Sequence, residues 1–212
     1  MSSLNLSVDD VLTTTRSVRK RLDLEKAVPR EVLVECLELA IQAPTGSNAQ
    51  GWQWVFVEDP DKKMLLADIY RKTADVYLNQ PKPDYDDVRG ERMASVVDSA
   101  KYLAAHLHEV PVLLIPCREG RVEDAPSSAS YWASLFPAAW SFMLALRSRG
   151  LGSTWTTLHL LGDGEKRAAD ILGIPHEKYT QGGLFPIAYT KGTDFRPAKR
   201  LPVEQIVHWN SW

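Results

Sequence analysis

Ala43-Pro44-Thr45-Gly46-Ser47-Asn48-Ala49-Gln50-Gly51-Trp52-Gln53-Trp54 is the stretch around which the rest of the chain is organised. It lies between an amphipathic helical pattern and a strand-like run, Val55-Phe56-Val57. Pro44 and Gly46 stop the helix, and Thr45, Ser47, Asn48 and Gln50 place four hydrogen-bonding side chains within six residues. A turn uses one or two such residues. Four make a surface able to hold a polar, planar ligand. The plainer alternative is a helix-to-strand turn whose polar groups cap the backbone.

Upstream, Pro29 opens a helix in which Val32, Leu33, Cys36, Leu37, Ala40 and Ile41 form one apolar stripe. Before it, Ser7-Val8-Asp9-Asp10 has the form of a capped helix start with acids in the first turn. That helix is expected to end near Thr14 and to turn Val8, Val11 and Leu12 inward. Arg16-Ser17-Val18-Arg19-Lys20-Arg21 follows at once, four cations within six residues.

Downstream, residues 52–58 read as a strand and 63–78 as a helix. Residues 79–87, with Pro81 and Pro83, are polar and broken, the pattern of a loop beside a site. A helix over 89–108 leads into 110–117, an apolar run of strand length buried on both faces. A polar connection over 118–128 precedes a long, largely apolar helix over 129–149, with Pro137 as a kink or late start. Its apolar residues surround most of its circumference, so it must be enclosed by core or by a subunit interface. Gly150-Leu151-Gly152 ends it. Ser153-Thr154-Trp155-Thr156-Thr157 is β-favouring and dense in hydroxyls, 164–172 is a short helix, and 182–189 a strand entered through two glycines. The tail, Arg196-Pro197-Ala198-Lys199-Arg200, is basic again and runs into a short helix over 203–207. There is no repeat, low-complexity segment or linker, so residues 1–212 read as one domain.

Composition narrows the function. With 44% apolar and 25% charged residues the 212-residue chain is an ordinary globular one. A net charge of −2 gives no reason to expect nucleic acid or a membrane surface as partner. Seven tryptophans are costly to leave in water, which points to a dimer interface or an aromatic-lined pocket. Cys36 and Cys117 read as core residues. Without an apolar leader in residues 1–10 or a membrane-length run, a cytoplasmic protein is expected. The five histidines show no ligand spacing apart from His106 and His108, which at i and i+2 point to different helix faces, and no Walker loop, dinucleotide fingerprint or G-x-S-x-G elbow is present. No metal site and no catalytic acid, base or nucleophile is therefore nominated, and a bound cofactor is the expected carrier of any chemistry. Each cation cluster could be a solvated face. Arginines in tight loops beside strand and helix ends also suit a phosphate.

Arg16-Ser17-Val18-Arg19, then Ala43-Pro44-Thr45-Gly46-Ser47-Asn48-Ala49-Gln50, then Gly150-Leu151-Gly152, then Pro186-Ile187-Ala188-Tyr189 with Arg200, occur in an order that resembles the FMN-dependent nitroreductase family. The resemblance implies an α+β fold, a central, mostly antiparallel sheet flanked by helices, in an intertwined homodimer with FMN at the interface. It implies that Arg16, Ser17 and Arg19 hold the FMN phosphate and ribityl chain, with Arg200 and Lys199 adding phosphate contacts. Pro44, Thr45, Gly46 and Asn48 match the segment that reaches the flavin from the partner chain. Trp155, Thr156 and Thr157 match the segment beside the isoalloxazine ring. Ping-pong reduction of nitroaromatic, quinone or similar small acceptors by NADPH or NADH is the activity implied. The alternatives are a flavin-destroying or dehalogenating branch, or a flavin-binding protein without turnover. Two departures are plain: Thr15 stands where the family often has a second arginine, and Gly51 where a proline is common.

Overall fold

A computed structural model describes residues 3–122 and 125–212. The first two residues of the polar N-terminus and residues 123 and 124 of the 118–128 connection lie outside the described residues. The elements run α1 (Val8–Thr14), α2 (Arg30–Ala40), β1 (Trp52–Val57), α3 (Pro60–Asn79), α4 (Met93–His106), β2 (Val112–Glu119), α5 (Ala125–Ala133), α6 (Phe136–Ser148), β3 (Leu151–Ser153), α7 (Gly164–Leu172), β4 (Tyr179–Gln181) and β5 (Phe185–Tyr189). The strands form one five-stranded sheet ordered β1-β2-β5-β3, with β4 also paired to β2, and every named pairing is antiparallel. The expected α+β arrangement is present, with helices on both faces.

Strand alternation explains why the sheet separates two cores. In β2, Leu113, Ile115 and Cys117 face a cluster built with Leu66, Tyr70 and Leu103 from α3 and α4. Val112 and Leu114 face the opposite cluster, with Cys36 from α2 and Phe142 and Leu146 from α6. Phe142 is fully buried between Trp54 and Phe56 of β1, with ring centroids 5.9 and 6.0 Å away. Truncating such a side chain to alanine costs about 3–5 kcal/mol. Both cysteines are free and buried, and loss of solvent raises the Cys36 thiol to about 11 and the Cys117 thiol to about 12.

Several expectations change: the tail helix expected over 203–207 is only a 3-10 turn, Val203–Gln205, and the 118–128 connection gives up its ends to β2 and α5. The helix expected over 129–149 is two helices, α5 and α6, broken at Ser134 and Leu135, with Pro137 in the first turn of α6 where its missing N–H costs nothing. The 153–157 run pairs as strand only through Ser153, beyond which Thr156 makes one isolated bridge to Leu184. Val8 and Leu12 of α1 do not turn inward: they are 75% and 50% exposed. The capping box of α1 is formed as expected, with the Ser7 hydroxyl accepting from the Asp10 N–H. Among the described residues, no helix is long and apolar enough to cross a membrane.

Candidate functional site

The basic loop after α1 is stitched onto the sheet edge by backbone hydrogen bonds. Val18 N–H donates to Ser153 O at 2.8 Å, Asp23 N–H to Tyr189 O at 2.8 Å, and Lys191 N–H to Arg21 O at 2.8 Å. Gly152 makes this approach possible. A Cβ there would lie 2.6 Å from Thr190 Cγ2 and 3.0 Å from Val18 Cβ, so only glycine lets the loop close against β3. The tail returns to the same place: Arg16 Nη1 donates to Arg196 O at 2.7 Å, and Arg21 pairs with Asp194 at 2.6 Å.

Between this loop, the tail and one face of α4 opens a pocket of about 940 Å³, a size that suits a cofactor. Among the described residues lining it, eight are Arg or Lys and none is Asp or Glu. Four of the cations have acidic partners outside the wall: Lys20 with Asp98, Arg21 with Asp194, Arg89 with Asp87, and Lys199 with Glu91. Arg16, Arg19, Arg92 and Arg200 have no carboxylate partner among the described residues. Burial, and then the cations of Arg92 and Arg200, push the Arg16 guanidinium below its ordinary pKa. Burial does the same to Arg19, whose Nη1 donates only to Ser99 Oγ, at 3.3 Å. Arg92 and Arg200 are exposed and Arg16 and Arg19 half-buried, so solvent screens part of this repulsion, and an anion among them would relieve the rest.

The remainder of the wall carries the hydroxyls of Thr15, Ser17, Ser95 and Ser99 and an apolar part that includes Val18, Trp140, Met143 and Trp155. Trp155 is held rigidly: its Nε1 donates to Gly182 O at 3.0 Å, and its ring meets Phe136 edge-on at 4.8 Å and 81°. Gly183, at a φ of 149°, leaves room for it, since a Cβ there would lie 2.4 Å from Trp155 Nε1. A phosphate monoester carrying a flat ring fits this donor set, with free guanidiniums for the anion and an indole and a thioether beside the ring.

Of the residues singled out in the sequence, Arg16, Ser17, Arg19, Trp155, Lys199 and Arg200 line the pocket. Thr156 and Thr157 do not: Thr156 Oγ1 bonds the Tyr70 hydroxyl at 3.4 Å, and Thr157 is exposed. Pro44, Thr45, Gly46 and Asn48 are also absent from this wall. They lie at an exposed turn where Ser47, Asn48 and Gln50 take left-handed backbone angles. Ser134 anchors that turn, accepting from Gly46 N–H at 3.0 Å while its carbonyl accepts from Trp52 Nε1. Sequence reasoning passed over Ser134 and Arg92, because neither stands in a pattern with the residues it meets. Among the described residues, no group of His, Cys, Asp and Glu could hold a metal ion.

Comparison with known proteins matches residues 12–189 to the model described as the Nitroreductase family. The chain is 31% identical over 144 residues to iodotyrosine deiodinase of Thermotoga neapolitana, covering 67% of this chain and 69% of that protein. It is 28% identical over 205 residues to an NADH dehydrogenase of Thermus thermophilus, covering 92% and 91%. It spans about two thirds of the length of the curated deiodinases it matches. Its fold is similar to that of an iodotyrosine deiodinase solved with FMN and 3-iodo-L-tyrosine, with a TM-score of 0.73 at 23% identity over 97% of this chain and all of that one.

Proposed function

Because the chain belongs to the nitroreductase family, we propose that it is an FMN-dependent oxidoreductase that draws electrons from NADPH or NADH and passes them by a ping-pong route to nitroaromatic, quinone or similar small acceptors. The observation that carries this reading is the pocket itself, in which arginines free of carboxylate partners face a rigid indole. FMN bound there would supply the redox chemistry. Arg16, Arg19 and Arg200 neutralise its phosphate, with Lys199 beside them, and Ser17 offers a hydroxyl to the same end of the pocket. Trp155 bounds the ring and excludes water. The electrostatic surplus of this wall favours an anionic reduced cofactor.

In the same proposal the working form is a homodimer. Trp209 and Trp212 are exposed, as are Val8, Leu12 and Ile206, large apolar side chains that contact with a second copy would cover. A second copy would bring its Pro44–Asn48 turn to a site that this chain's own turn does not line. The cytoplasm is the proposed compartment, since both cysteines are free thiols.

A dehalogenating activity is the second reading, favoured by the identity to the Thermotoga neapolitana deiodinase.

The test is the visible spectrum of the purified protein before and after anaerobic NADPH or NADH. Flavin absorption that bleaches with a donor and returns with a quinone supports the main reading. Return with halide release from a halogenated phenol, and none with quinone, supports the second. A colourless protein that takes up no FMN overturns both.

A further inference from the structure

Arg92 carries no motif in the sequence, yet it stands where three segments meet. It ends the one-turn 3-10 helix Gly90–Arg92 and directly precedes α4. Arg92, Ser95, Val96 and Ser99 recur at i, i+3, i+4 and i+7, one helical face, and all four line the pocket opposite the 16–21 loop. The bond from Arg19 Nη1 to Ser99 Oγ joins the two walls. The acids near Arg92 are already engaged, Glu91 by Lys199 at 2.7 Å and Asp87 by Arg89 at 2.6 Å. Arg92 itself has no hydrogen-bond or ion-pair partner among the described residues. Arg16, Arg92 and Arg200 all line the pocket, Arg92 and Arg200 are near enough to Arg16 for their charges to act on it, and no carboxylate among the described residues lines the same wall.

We propose that Arg92 is a third phosphate-binding arginine, gripping the cofactor's phosphate from the α4 side while Arg16 and Arg200 hold it from the loop and the tail. The proposal rests on the FMN reading above. Planar, fork-shaped donors on three sides suit a phosphate monoester, whose three terminal oxygens each accept charge-assisted hydrogen bonds. Mutual repulsion of the three cations has the same resolution: Arg16 is shifted down by Arg92 more than by Arg200, and a dianion among them reverses that effect. Arg92 has a part in affinity and in selection of the phosphorylated flavin over riboflavin, and touches no reacting atom.

The apo protein is titrated with FMN and with riboflavin, following flavin fluorescence, and inorganic phosphate is used to compete with FMN. Wild type should prefer FMN. Arg92→Gln should lose about tenfold or more in FMN affinity, leave riboflavin affinity unchanged and weaken competition by phosphate, while Arg92→Lys keeps part of the preference. An Arg92→Gln protein that binds FMN like wild type, or loses FMN and riboflavin equally, overturns the role of Arg92 and leaves the cofactor reading standing. A wild type that binds neither flavin overturns both.

Discussion

Val18 N–H donates to Ser153 O at 2.8 Å, and this bond fixes the basic loop to β3 at the edge of the pocket. It depends on the absence of a side chain at Gly152, flanked by the stiff β-branched Val18 and Thr190. Gly152→Ala should therefore push the loop off the sheet. We expect a loss of about 1–3 kcal/mol in urea unfolding, with FMN affinity falling severalfold in fluorescence titration. Unchanged FMN affinity in a destabilised variant would show that the loop's position does not govern binding.

Arg19 reaches across the pocket to Ser99 and has no acidic partner. Arg19→Ala should weaken FMN retention by about tenfold, the worth of one charge-assisted hydrogen bond. Ser99→Ala, which removes only the neutral contact, should retain FMN. Equal losses in the two variants would assign Arg19 to bridging the walls rather than holding phosphate.

The sheet was legible because its strands are strongly patterned. Residues 112–117 of β2 form an unbroken apolar run buried on both faces, and β1 alternates Trp54 and Phe56 against Val55 and Val57 between the two cores. Strand β4 was not legible: its three residues pair only because β2 extends as far as Glu119, a property of the partner strand. Helix α1 was read with the right ends and the wrong face, since the apolar positions Val8 and Leu12 that suggested burial are exposed in the single chain. At the site, the clusters at 16–21 and 196–200 stood out as local charge density. Arg92 did not, because its relation to Arg16 spans two separate segments and has no period in the sequence.

His159 should set an acid limit on stability. It is fully buried, with Nε2 donating to Gln181 Oε1 at 3.2 Å, and burial lowers its pKa to about 4. The unfolded value is about 6.5, so the folded state refuses a proton that the unfolded chain accepts. Its contribution is complete above pH 6.5 and is lost as pH falls toward 4, by up to about 1.4 kcal/mol per pH unit. Urea midpoints at pH 7.5 and pH 5 should differ more for wild type than for His159→Gln. Parallel pH profiles for the two proteins would remove His159 from the account.

Ser134 tests the turn that the sequence placed at the centre of the chain. Its hydroxyl accepts from Gly46 N–H at 3.0 Å and donates to Ser130 O at 3.2 Å, and it is only 3% exposed. Removing it leaves the Gly46 N–H to water at an exposed turn, a cost of about 0.5–1.5 kcal/mol. Within the turn, Asn48 N–H donates to Thr45 O at 3.1 Å and Gln50 Nε2 to Asn48 Oδ1 at 3.0 Å, while Ser134 ties the turn to the break between α5 and α6. If the partner's turn completes each site, Ser134→Ala should lower FMN affinity although Ser134 does not line its own chain's pocket. The effect should appear in protein that sedimentation shows to be dimeric, where the two turns can cross. Wild-type FMN affinity in a dimeric Ser134→Ala protein would mean that the turn stays outside the site, and its polar residues would then be serving only to cap the backbone.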